Sequence, residues 1–79
     1  MSWAHEWHPV AEDDLRRMHW REAARVDAAV QRLAESGQGR VEPVRAERNL
    51  YRLRVSRSVV IFARDSASRT IRVWRVFKA

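Results

Sequence analysis

Leu50-Tyr51-Arg52-Leu53-Arg54-Val55 and Ile71-Arg72-Val73-Trp74-Arg75-Val76 alternate apolar side chains with arginines. Side chains change face at each residue of a strand, so the alternation predicts two strands with one row buried and guanidinium groups on the opposite surface. Between them, Val59-Val60-Ile61-Phe62 predicts a third strand. A sheet face dense in arginine is unfavourable unless an anion meets it, and nucleic acid phosphate is the commonest such partner.

Working outward, strands are expected over residues 45–56, 58–64 and 70–78, joined by Ser56-Arg57 and by the polar loop Asp65-Ser66-Ala67-Ser68. Upstream, Gln38 to Val44, with Gly39 and Pro43, reads as a loop. Ala23, Val26, Ala29, Val30, Leu33 and Ala34 follow helical spacing and predict a helix that starts at Trp20 or Arg21 and is closed by Gly37. An earlier helix is expected from Pro9 to His19, with Ala11, Leu15 and Met18 on its apolar side and Glu12, Asp13 and Asp14 near its positive end. Trp3, His5 and Trp7 share one parity, which predicts a short strand stopped by Pro9. The order β-α-α-β-β-β predicts an α+β fold: two N-terminal helices packed on one face of a mostly antiparallel four-stranded sheet, the other face open. Residues 1–79 are expected to form a single domain.

The chain has 79 residues and no cysteine, so no disulfide or thiolate metal site is available to a small core, and a cytoplasmic location is expected. No apolar run approaches the roughly 20 residues needed to cross a bilayer. Met1 to Val10 lacks the cationic start and apolar stretch of a signal peptide. The net charge of +6 is unevenly placed. Residues 1–39 carry five arginines against seven acids, a balance of −2, whereas residues 40–79 carry ten arginines and one lysine against three acids, a balance of +8.

His5 and His8 fall on opposite strand faces and His19 at a helix end, so neither a metal site nor a general-base pair is expected. Trp3, Trp7 and Trp20 are expected to fill or rim the core. Trp74 shares parity with Arg72 and Lys78, which would put it on the exposed face against a base, and also with Val76, which favours core packing. Arg75 shares parity with Ile71 and Val73, and an ion pair with an acid of the helices is its expected role.

Several strings resemble the RelE/ParE superfamily of small toxins from bacterial type II toxin-antitoxin modules. His8-Pro9-x-Ala11-x-x-Asp14-Leu15 is similar to that family's first-helix entry, and Leu50 to Val55 to its "YRLRV" strand. Val59 to Phe62 is similar to its "RVIY" strand and Ile71 to Val76 to its last strand. The four strings occur in the family's order and span nearly the whole chain.

The resemblance implies one of two activities. RelE-like members enter the ribosomal A site and cleave mRNA; ParE-like members bind DNA gyrase without cutting anything themselves. A degenerate member would only bind its antitoxin. A cognate antitoxin is the implied partner in every case, with no cofactor, metal or membrane. For the RelE branch, Arg52 and Arg54 occupy the basic positions of the catalytic strand, about 7 Å apart on one face. Val59 stands where RelE-like sequences carry an arginine, and Arg57 is the nearest substitute. The arginine and tyrosine that follow the last strand of active nucleases have no counterpart up to Ala79. Arg72, Trp74 and Lys78 are the expected auxiliary nucleic-acid-binding residues.

Overall fold

A computed structural model describes residues 2–79, with β1 (Ala4–Trp7), α1 (Pro9–Arg17), α2 (Trp20–Ser36), β2 (Arg40–Pro43), β3 (Leu50–Val55), β4 (Ser58–Asp65) and β5 (Thr70–Lys78). Both helices begin at a histidine cap. The Val10 N–H donates to His8 Nδ1 at 3.1 Å and the Arg21 N–H to His19 Nδ1 at 3.2 Å, each satisfying a backbone donor that the first turn leaves free. The first helix therefore ends at Arg17, two residues before the expected His19, because His19 starts the second. Gly37 closes α2 in the left-handed region, at φ 76°, where its N–H donates to the Leu33 carbonyl.

The sheet has five strands in the order β1-β5-β4-β3-β2, and not four. Arg40–Pro43, expected to be loop, pairs antiparallel with β3. Gly39 just before it and Pro43 at its end disguise it, yet proline is compatible with an edge strand, which has one side free of ladder bonds. β1 runs parallel to β5, and the remaining pairs are antiparallel. β3 begins only at Leu50, because Asn49 adopts φ 61°. Its side chain bonds across to Arg64, accepting from the backbone N–H at 3.3 Å and donating to the carbonyl at 2.6 Å.

The core lies between the helices and one sheet face. Ala11, Val26, Val30, Leu33 and Ala34 meet Leu53, Val60, Phe62, Ile71, Val73 and Val76, with Trp3 and Trp7 packed at the margin. Trp20 departs from expectation: it is 69% exposed at the start of α2, stacked on His19 and approached by the Arg21 guanidinium.

A β-bulge explains how β5 buries residues of both parities. Ile61 pairs with Arg75 and the next residue, Phe62, pairs with Val73, so Trp74 is an extra residue in β5. Ile71 and Val73 before the bulge, and Val76 after it, all reach the core. Asp14 of α1 secures this point. Its carboxylate accepts from Arg75 Nε at 2.9 Å and from the Val76 N–H at 2.8 Å. Burial raises its pKa, but the bonds from Arg75 and Val76 outweigh that, and the carboxyl titrates below its usual range.

Replacing Asp14 by Ala should destabilise the protein by about 2 kcal/mol, since it leaves a buried N–H unpaired. Thermal melts should then drop by about 10 °C for a chain of this size. Because the folded-state pKa is depressed, the stabilisation from ionised Asp14 is fully present above the unfolded value, about 3.9, and disappears as pH falls through the folded value. The difference in stability between wild type and Asp14→Ala should be constant above about pH 5 and shrink in stronger acid. At the other cap, Gly37→Ala should cost about 1 kcal/mol through its left-handed backbone, measurable in urea titrations.

Candidate nucleic-acid interface

The second face of the sheet bears no helix. Register places Arg52 opposite Ile61 and Glu42, Arg54 opposite Val59 and Arg40, and Val59 opposite Phe77. These side chains stand opposite in parity to the buried Leu53 and Val60 and so share the open face. The arrangement has three zones. Arginines from β2 and β3 form one side, Val59 and Ile61 of β4 form an apolar floor, and Trp74 and Phe77 of β5 form an aromatic side, 40% and 46% exposed.

Arg52 and Arg54 emerge on this uncovered face, with Arg54 the more exposed. Glu42, in the stretch expected to be loop, accepts from Arg54 Nε at 3.1 Å. This ion pair is half-exposed and screened by solvent, and it leaves the remaining guanidinium nitrogens of Arg54 able to donate. Among the described residues, Arg40 and Arg52 make no ion pair, so the arginine zone retains net positive charge. Arg57 is exposed in the turn between β3 and β4, beyond the strand end and close to the C-terminal residue, whose N–H donates to the Arg57 carbonyl at 2.9 Å. Position 59 itself is held by Val59, 4% exposed within the floor, two residues along the chain from Arg57.

The three residues expected to assist are separated by the bulge. Arg72 is on the open face but is engaged by Asp65 at 3.2 Å and by Glu6 at 3.6 Å. Hydrogen bonds from Ser68, and then the Arg72 charge, hold the Asp65 carboxyl below its usual range. Trp74 lies beside His8, ring centroids 5.1 Å apart, and together with Glu6, Trp7, Pro9 and Arg72 the two rings line a recess of about 270 Å³. Lys78 falls on the other side of the sheet. Beyond the bulge it shares the parity of Val76, and its ammonium lies 3.6 Å from Glu22 of α2.

Chemically, the open face can bind anions and offer aromatic planes. Among the described residues no cluster of His, Cys, Asp or Glu is arranged to hold a metal ion. No described helix is long and apolar enough to cross a membrane.

No family model matches the sequence, and no curated protein sequence matches it. Solved structures do. A chain of the toxin-antitoxin complex RelBE2 from Mycobacterium tuberculosis superposes with a TM-score of 0.86 over 100% of both chains, at 20% identity. A chain of the archaeal RelE-RelB complex from Pyrococcus horikoshii gives 0.82 over 99% of this chain and 96% of that one, at 15% identity. For the RelB-RelE antitoxin-toxin complex from Methanococcus jannaschii the values are 0.75, 91%, 87% and 17%. The chain thus shares its fold, over nearly its whole length, with chains of RelBE toxin-antitoxin structures.

Proposed function

We propose that this protein is the toxin of a type II toxin-antitoxin module and that it inhibits translation by cleaving mRNA on the ribosome, in the manner of RelE. The observation that carries this reading is the position of Arg52 and Arg54, side by side on the sheet face that the helices leave open. Transesterification of RNA builds charge on phosphorus, and preorganised guanidinium groups stabilise that charge more in the transition state than in the ground state. Two arginines about 7 Å apart on a rigid strand suit one scissile phosphate or two neighbouring ones. The ribosome would supply substrate alignment, so that a small basic protein need not build a deep active site. A cognate antitoxin with acidic and apolar side chains would silence the toxin by covering the same face.

Val59 supports a second reading. At the position where a RelE-like arginine would stand, the floor is apolar, which favours a ParE-like protein that binds DNA gyrase without chemistry of its own.

The two readings give opposite results in two assays. On translating ribosomes, the wild-type protein should cut mRNA in the A site. The double substitution Arg52→Ala/Arg54→Ala should reduce the rate at least about 100-fold while its melting temperature stays within a few degrees of wild type. Intact mRNA with the wild-type protein, together with loss of supercoiling by purified gyrase, would establish the second reading instead.

A further inference from the structure

The recess between β1 and β5 is unused by the phosphate chemistry proposed above. We infer that it is a nucleobase site, in which Trp74 stacks on one unstacked base of the RNA whose phosphate lies on Arg52. This inference rests on the RNA-directed reading of the open face.

Four observations lead there. First, Trp74 is the bulge residue of β5, and bulges re-aim a side chain out of the regular pleat. Second, its ring is held before any ligand arrives. His8 lies 5.1 Å away at a tilt of 42°, and His8 is itself fixed, its backbone N–H donating to the Val73 carbonyl at 2.8 Å and its ring Nδ1 accepting from the Val10 N–H. With Nδ1 so used, the neutral imidazole carries its proton on Nε2. A preorganised aromatic plane, 40% exposed, is what base stacking requires.

Third, the local charge suits a base and not a phosphate. Arg72, engaged by Glu6 and Asp65, and Glu6 are the charged side chains of the recess, so it offers no unpaired positive charge. Glu6 can accept from the N–H groups of a base edge, and Arg72 can donate to its carbonyl or ring nitrogen. Fourth, the register aligns the recess with the catalytic strand. Arg52 pairs with Ile61, and Ile61 with Arg75, so Trp74 borders the cross-strand row that begins at Arg52. Two strand spacings, about 10 Å, separate β3 from β5, with the apolar floor between them.

Fluorescence anisotropy with the full chain and a short single-stranded RNA, its 2′-hydroxyls methylated to block cleavage, tests the site. Each nucleotide is replaced in turn by an abasic residue. One abasic position should weaken binding to wild type about tenfold. Trp74→Leu should weaken binding of the intact RNA by a similar factor, and the abasic position should cause it no further loss. Trp74→Phe, which keeps an aromatic plane, should retain most of the affinity and covers the case in which the leucine variant folds poorly. The salt dependence should be unchanged in Trp74→Leu and shallower in Arg52→Ala/Arg54→Ala, since only the arginines displace counterions. Wild-type affinity in Trp74→Leu, or an abasic loss that persists in it, overturns the base site while leaving the RNA-directed reading intact. Normal RNA affinity with weakened antitoxin binding overturns it in favour of a protein contact. Wild-type protein that binds none of these RNAs overturns the base site, while the cleavage assay on translating ribosomes decides the RNA-directed reading separately.

Discussion

Where β1 stops at Trp7, the outer edge of β5 still has backbone donors to satisfy, and Asp14 takes over from the strand by accepting the Val76 N–H at 2.8 Å. The same carboxylate holds the Arg75 guanidinium, so one side chain of α1 ties the helix to the two residues of β5 that follow the bulge. A buried carboxylate is tolerable only with such partners. Consequences spread in two directions. Toward the helices, the pairing delivers Val76 into the core after Ile71 and Val73 have already been placed there. Toward solvent, the extra residue leaves Trp74 outside, beside His8, and sends Lys78 to the helix side. The layout of the open face is therefore set by a contact made on its rim.

Much of this architecture is legible in the residues, and the departures have physical causes. Alternation identified β3, and the spacing of Val26, Val30 and Leu33 identified α2, because each has one buried face and one solvated face. β5 defeats simple parity: Ile71 and Val73 belong to one row and Val76 to the other, a conflict that only an inserted residue resolves. The apolar mixture was visible, but which residue would be extra depended on Asp14, sixty-one positions from Arg75 in the chain. β2 was hidden because an edge strand of four residues needs only half its ladder bonds and has little side-chain signature. Glu42 went unnoticed with it. Trp20 misled in the opposite way, since a large aromatic residue at a helix start suggests burial yet here is occupied with His19 and Arg21.

Charge count alone overstates the basic surface. Of the arginines on the C-terminal strands, Arg54 is paired with Glu42, Arg72 with Glu6 and Asp65, and Arg75 with Asp14. These acids are placed so that positive charge is partly neutralised along β5 and at the α1 contact, and concentrated around Arg40 and Arg52. A uniform arginine sheet would repel itself; this one has a positive side and a nearly balanced side. The asymmetry gives a polyanion a preferred lie across the strands.

That asymmetry bears on the class of ligand. Duplex DNA presents phosphates outward and keeps its bases stacked inside, so it would use the arginine zone and leave Trp74 and Phe77 facing water. A single strand carries phosphate on one side and free base planes on the other, which matches an arginine zone and an aromatic zone separated by the apolar β4 floor. Under the proposed function, an antitoxin segment with acidic and apolar residues would satisfy the same pattern, with carboxylates on Arg40 and Arg52 and side chains over Val59 and Phe77. The two kinds of partner would then compete for one surface. Inhibition would follow from occupancy, with no rearrangement of the sheet required.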